Sequence, residues 1–467
     1  MTAARVPWIK TRAGTVATLA LLFALSVAVR APMLGRPLFM AHEWLTAHVL
    51  TTLTIWSEEG ISTYGYNPVY TFDTPADRHV KSLTSGIVDE AGNYYYVSYP
   101  PLTFLLPYAA FSLLHVEPGV LAIRIWSLLL HAITAIMVYA LVASIYGIRL
   151  RDGLFPPALI AYAIYLFMPM ALKHHLNSYF ADMLVQPLWL GCIWYAFQLY
   201  EREKLGLTGY VWGFALLNFL AVYTEWLGVF SAFVLFVFAL VRWRSDPRYL
   251  RVLIAIAVST ALALGLAVVQ YSTIAGLDGF IDASIERFTV RSGVEGTGGV
   301  SIRRPLYHII LLLSYWYRFY PILGLLAFLL LFVALTYRWK PLTRRRRHFF
   351  MLIALGLPVI MHHVVFFDFT YEHEFAELKT VGSAVRLPRS GGLYHHIRYA
   401  IFPETRRVFH AMVVAMPAVL CMPGRVYILS ADSSEGFEAT PANREIIGRL
   451  AAENETIYVL GPRERMT

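Results

Sequence analysis

"YVWGFALLNFLAVYTEWLGVFSAFVLFVFALVRW", residues 210–243, is apolar almost from end to end and carries one acid, Glu225, near its middle. As a single helix rising 1.5 Å per residue it would run roughly 50 Å, well beyond a hydrocarbon core of about 30 Å. The flanking basic blocks decide how it divides. "EREK" (201–204) precedes it and "RWRSDPRYLR" (242–251) closes it, and both belong on the cytoplasmic side of a membrane. The stretch must therefore cross twice, turning near Thr224 and Glu225 on the outer side. A charge costs roughly 3 kcal/mol at the bilayer centre, and a turn at the interface removes that penalty.

Composition agrees with a chain that lives in lipid. Of its 467 residues 58% are hydrophobic and 15% charged, with a mean hydropathy of +0.55, too apolar for a soluble fold of this length. Lys and Arg outnumber Asp and Glu by 39 to 30. They stand in short blocks between apolar runs, the pattern of cytoplasmic flanks and not of a nucleic-acid surface. Cys192 lies inside an apolar run and Cys421 near the C-terminus. They give no metal-ligand spacing; packing is the simplest role, and a pair between them stays open.

Working backward from residue 210, Phe180 to Tyr200 runs inward to "EREK", Leu154 to Leu172 runs outward, and Val120 to Gly147 runs inward to "RLRDG". The first span, Thr15 to Val29, follows Arg5, Lys10 and Arg12, and Arg30, Pro32 and Arg36 stand where a signal peptide would be cut. It reads as an uncleaved first span with residues 30–119 outside. Forward, Leu253 to Ile274 exits into a Gly-rich outer loop, 276–304, holding Arg287, Arg291, Arg303 and Arg304. Leu306 to Tyr337 returns to "RWKPLTRRRRH", and Phe349 to Phe367 exits again, delivering "DFTYEHEFAELK" to the outer face.

The expectation is an α-helical polytopic membrane protein of about nine spans, or ten if the short Val408 to Met422 crosses. A transmembrane domain over 1–422 is then followed by a small α/β segment over 423–467. There "RVYILS", "TPANREIIGRLAAENE" and "TIYVLG" read as strand, helix and strand, with Thr440 as N-cap and Pro441 at the first helical position.

Within the first outer loop, Leu45, Val49, Leu53 and Trp56 recur at helical spacing, which predicts an interfacial helix starting at Glu43. Pro101 to Val116 is too short to span and is opened by two prolines, so it is interfacial as well. The topology brings five stretches to one face. They are His42 with Glu43, "YYYVSYPPL", "KHHLNSYFADM", "YTEWLG" and "YEHEF".

In this order the stretches resemble the motifs of the GT-C glycosyltransferases, in particular the branch of the protein O-mannosyltransferases and aminoarabinose transferases. In that family an acidic motif starts an interfacial helix in the first outer loop, a (His/Tyr)-Pro-Pro-Leu motif closes the loop, and an Asp opens the span after the third. Glu43 matches the second position of the acidic motif, with His42 in place of the family's Asp. Tyr99 to Leu102 match the loop-closing motif, and Asp182 matches the later Asp. "TEWLG" around Glu225 and "YEHEF" around His373 resemble outer turns of relatives.

The resemblance covers the membrane part and leaves the tail without a family signature. It implies inverting transfer of a sugar from a polyprenyl-phosphate donor to an acceptor protein, lipid or glycan, in the plasma membrane with the active face extracytoplasmic. Glu43 is then the general base, and Arg124, His174, His373 and Lys379 are candidates to hold the lipid phosphate. His42, Tyr99, Asp182 and Glu225 are substrate-binding candidates. No cofactor, metal or nucleic acid is expected, since His362, His363 and His373 with Glu372 and Glu374 cross a span boundary and lack a metal spacing.

Each residue also has a structural reading. Glu43 is placed to favour a helix N-terminus, Asp182 to cap a helix, and the histidines to anchor at the interface. A transporter or flippase of a lipid-linked substrate, and a noncatalytic subunit that keeps the fold, are the competing functions. The first lacks an internal repeat of spans.

Overall fold

The computed structural model describes residues 11–38, 42–71, 86–148, 153–200, 208–292 and 342–366, with Phe369, Lys379 and the strands 426–430 and 456–460. The expected spans Leu306 to Tyr337 and Val408 to Met422, the helix within 440–455, and His373 lie outside the described residues.

Helix α1, Arg12–Leu34, starts at Thr11, whose side chain accepts a hydrogen bond from the Gly14 N–H at 3.0 Å. That capping satisfies one of the amides that a helix start leaves open. Helix α2, Glu43–Ile55, begins at Glu43 and buries Leu45, Val49 and Leu53 as the spacing predicts, but Thr46, Ala47 and Thr52 are buried too. It is enclosed on most sides, because residues 64–71 and 86–104 fold over it, with Thr52 donating to the Val69 carbonyl and Trp56 to the Asn67 carbonyl. That cover includes a short antiparallel hairpin of β1, Gly86–Val88, and β2, Tyr94–Tyr96, and α3, Leu102–Leu114.

The remaining helices follow. They are α4, Val120–Ile145; α5, Pro156–Phe167; α6, Pro169–Asn177; α7, Ala181–Tyr200; α8, Thr208–Val222; α9, Trp226–Trp243; α10, Tyr249–Ser292; and α11, Leu342–Val365. The outward run expected over 154–172 is bent, with α5 and α6 meeting at 55°. Pro169 explains the break: it lacks an N–H and drives Met168 into extended geometry, φ −63 and ψ 130. The turn expected at Thr224 and Glu225 is where α8 ends and α9 begins. Among the described residues four helices are long and apolar enough to cross a membrane, and the bent pair makes a fifth.

The loop expected over 276–304 is helical as far as Ser292, beyond a kink at Ala275 and Gly276. Gly276 sits at φ 76, a left-handed conformation that glycine adopts without steric cost. Past it, Leu277, Ile281, Ile285 and Phe288 are exposed on one side while Ala283 and Arg291 are buried. The glycines of this region hid a helical period. Beyond the kink it forms an amphipathic arm.

Side-chain bonds show which helix ends share a level. Arg124 at the start of α4 bonds the Leu34 carbonyl at the end of α1; at the other end, the Tyr249 hydroxyl at the start of α10 bonds the Tyr200 carbonyl at the end of α7. Midway, Arg30 donates to His131 Nδ1 at 3.0 Å, and Tyr165 donates to Gln186 Oε1 at 2.6 Å while bonded to His175 at 3.1 Å. The His131 and His175 rings stack 4.5 Å apart. Polar groups away from water must find partners in neighbouring helices, and this chain of bonds ties α1 and α4 to α5, α6 and α7. Near the C-terminus, Val426–Ser430 and Thr456–Leu460 pair in parallel, Val426 opposite Thr456.

Candidate functional site

Glu43 occupies the first turn of α2 and is 1% exposed. Arg36 grips it with two bonds, Nη1 to Oε2 at 2.8 Å and Nη2 to Oε1 at 2.6 Å. Arg124 Nη2 reaches Oε1 at 3.2 Å while its Nη1 donates to the carbonyls of Leu34 and Arg36. A fork of this kind gives guanidinium–carboxylate pairs both strength and direction. Arg124, expected as a phosphate partner, thus links the end of α1 to Glu43.

Residues 177–182 connect this cluster to a second one. Arg36 Nη2 donates to Asn177 Oδ1 at 3.0 Å, Thr46 donates to the Asn177 carbonyl at 3.0 Å, and the Tyr179 N–H donates back to Thr46 at 2.8 Å. Phe180 then meets Tyr99 edge-on at 5.8 Å, and Asp182 follows in the first turn of α7.

The second cluster is wholly buried. Lys379 Nζ lies 2.8 Å from Asp182 Oδ1, 3.0 Å from Glu225 Oε1 and 2.9 Å from His362 Nε2. Glu225 also caps α9, accepting from the Leu227 N–H at 2.9 Å. Burial by itself would raise the Glu225 carboxyl, but Lys379 and His362 outweigh it and hold the group below the usual carboxylate range. Burial likewise disfavours the Lys379 ammonium, and Asp182 and Glu225 more than compensate, raising it above the ordinary lysine value.

The amphipathic arm of α10 closes the site. The Arg291 guanidinium lies 4.3 Å from the Tyr99 ring centroid and 4.9 Å from that of Phe369, close enough for cation–π attraction. Its Nη1 donates to the Ser98 carbonyl at 3.3 Å, and Arg287 bonds the Ser98 hydroxyl. Beside them His48 is pushed down to about 4 by burial and then by Arg287, so the imidazole is neutral at physiological pH.

Glu43, Tyr99, Arg124, Asp182, Glu225 and Lys379 therefore belong to one connected layer. His42 starts α2 in a left-handed conformation, φ 68, with its ring 6.1 Å from that of the buried His174. Arg36, Asn177, Arg287 and Arg291 were missed as site residues, and His362 was weighed only as a metal ligand and set aside. Two of them had a visible signal: Arg287 and Arg291 are four apart and so share one side of a helix. Among the described residues no group of three or more His, Cys, Asp and Glu stands out as a metal centre. The layer offers guanidinium groups for an anion, tyrosines for a ring, and carboxylates able to accept a proton.

No family model matches the chain, and no curated protein matches it. Among solved structures, ArnT from Cupriavidus metallidurans bound to undecaprenyl phosphate aligns with a TM-score of 0.49 at 15% identity, over 82% of this chain and 59% of that one. The Archaeoglobus fulgidus oligosaccharyltransferase in its apo form aligns with a TM-score of 0.45 at 13% identity, over 89% and 62%. Tethered to an acceptor peptide, the same enzyme gives 0.48 at 12%, over 88% and 54%. The chain spans less than two-thirds of each of these proteins, and activity does not follow from likeness at this level.

Proposed function

We propose that this chain is a membrane glycosyltransferase of the GT-C type, moving a sugar from a polyprenyl-phosphate-linked donor to an acceptor hydroxyl or amine on the extracytoplasmic side. One observation carries the reading. Residues that resemble the family's motifs, from Glu43 through Tyr99 and Asp182 to Glu225, lie in a single layer with Lys379 and two arginines of the α10 arm.

In the proposed reaction the acceptor attacks the anomeric carbon from the face opposite the phosphate. The bond from that carbon to the phosphate oxygen breaks, the lipid phosphate departs with the electron pair, and a carboxylate takes the acceptor proton. Glu43 is the proposed base. Arg36 donates to both of its oxygens, and withdrawing Arg36 would open the carboxylate further to the acceptor. The donor phosphate is an anion able to draw Arg36 away. Arg287 and Arg291 are the proposed partners of the departing phosphate, since charge developing on it is stabilised by cations already in place.

The grip of Arg36 and Arg124 on Glu43 also favours a second reading, a noncatalytic subunit that keeps the fold and uses the carboxylate as a clamp. The two separate in one assay. Purified protein is given polyprenyl-phosphate-linked hexoses and pentoses with labelled sugars, together with membrane-extract acceptors. Transfer with inversion at the anomeric carbon supports the enzyme; retention of the label on the lipid with every donor, by protein that still binds it, supports the subunit.

A further inference from the structure

His48 and Tyr70 each hold a buried polar atom that the chain does not satisfy. Neither His48 Nδ1 nor the Tyr70 hydroxyl has a hydrogen-bond partner among the described residues. Tyr70 is only 4% exposed, and its backbone is pinned in place by the bond from its N–H to the Tyr94 carbonyl at 2.8 Å. Buried polar groups are nearly always bonded. Two orphans whose rings lie 4.7 Å apart call for a common partner from outside the chain.

Arg287 of the α10 arm supplies the third group. Its Nε bonds the Ser98 hydroxyl, it makes no ion pair among the described residues, and its charge acts on both His48 and Tyr70, where no carboxylate does. The imidazole is neutral, and burial with the neighbouring Tyr96 and Tyr271 keeps the phenol protonated. The three therefore offer phenol and guanidinium donors beside an imidazole nitrogen that donates or accepts according to its tautomer. An alcohol, which donates and accepts at once, suits either tautomer; a phosphate or carboxylate, which only accepts, suits one.

Rings complete the lining. Trp44 stands edge-on to His48 at 5.2 Å, and the Tyr96 ring is 5.9 Å from that of Tyr70. Aromatic walls with a few placed polar groups are the usual make-up of a small-molecule site. This spot also adjoins the charged layer: His48 follows Glu43 by less than a turn and a half of α2, and Tyr96 is 6.5 Å from the Tyr99 ring beneath Arg291.

We propose that His48, Tyr70 and Arg287 form the subsite for the transferred sugar, binding its hydroxyls, and that this sugar carries no ammonium group. An amino sugar would meet the Arg287 charge there with no acid to offset it. The proposal rests on the sugar-transfer reading and names the group that reading leaves open.

Binding of three probes by purified protein tests it: a bare polyprenyl phosphate, the same lipid carrying a neutral hexose, and the same lipid carrying an amino hexose. Tyr70→Phe and His48→Leu should each weaken binding of the hexose lipid by roughly 3- to 10-fold, the scale of one neutral hydrogen bond, and leave the bare lipid unchanged. Tyr70→Phe removes only an unpaired hydroxyl, so its Tm should not fall, and it carries the test alone if His48→Leu does not fold. Wild type should bind the amino-hexose lipid more weakly than the hexose lipid. Equal losses for the bare and hexose lipids would assign the orphans to phosphate and overturn the proposal, as would hexose binding unchanged in Tyr70→Phe, or an amino hexose bound as tightly as the hexose. The two readings fail separately: hexose-selective losses in a wild-type protein that transfers nothing would keep the subsite and remove the enzyme, whereas transfer that Tyr70→Phe leaves intact, with binding unchanged, would remove the subsite and keep the enzyme.

Discussion

At the scale of the residue, the position of Glu43 was legible and its surroundings were not. A helix period beginning at residue 43 is local information. The partners are not: Arg124 reaches Glu43 across 81 residues, and Arg36, which reads as a barrier to signal cleavage, turns out to hold the carboxylate. Arg291 provides a test of the anion-binding role. Arg291→Ala should weaken binding of a polyprenyl phosphate by roughly 10- to 100-fold, the scale of a lost charged hydrogen bond. Arg291→Lys should keep part of the affinity, and equal binding by wild type and both variants would assign the arginine to packing against Tyr99. His48 provides a test of pH. Its folded value is about 4 against an ordinary 6.5, so between these limits the unfolded chain binds more protons and stability falls as pH drops from about 6.5 to about 4. His48→Gln should flatten the dependence of Tm on pH in that window and leave it unchanged above. Parallel curves for the two proteins would contradict the assignment.

At the scale of the element, the reading succeeded where length and charge speak and failed where a turn residue acts locally. The division of 210–243 into α8 and α9 follows from bilayer thickness and from two basic flanks. The bend between α5 and α6 depends on Pro169, whose effect a hydropathy window averages away. The arm of α10 was obscured by glycines that suggest a loop, although its apolar residues keep a helical period. The α8–α9 turn rests on a close approach: a Cβ at Gly228 would fall inside the van der Waals envelope of the Ala221 carbonyl. Gly228→Ala should therefore push the turn apart and displace Glu225 from its cap, at a cost on the order of 1–3 kcal/mol. Thermal unfolding in detergent checks this, and an unchanged Tm would show that the turn can yield.

At the scale of the whole molecule, helix ends alternate between two levels, with the charged layer at one and Arg242, Arg244 and Arg248 at the other. Positive-inside energetics predicts that the arginine-rich level faces the cytoplasm. A cysteine replacing exposed Glu90, in the β1–β2 hairpin, should react with an impermeant reagent in intact cells. One replacing exposed Arg244 should react only after permeabilisation, and the opposite pattern would invert the site. That Glu43, Tyr99, Asp182 and Glu225 would share one face was the expectation from span parity, whereas His175 of the same expected group lies deeper, stacked on His131. The division into a Glu43 cluster and a Lys379 cluster was not legible, since it depends on which side chains lie within about 3 Å of one another.

Sugar transfer by this layer is tested most directly by single-turnover reaction of wild-type and Glu43→Gln proteins at saturating polyprenyl-phosphate-linked donor. Gln keeps the volume and removes the carboxylate that takes the proton. Wild type should pass its sugar to the acceptor with inversion, and Glu43→Gln should bind the donor equally well while transfer falls by about 100-fold or more. Equal transfer by the two folded proteins would remove Glu43 as the base; no transfer by wild type from any lipid-linked sugar it binds would contradict the enzyme itself.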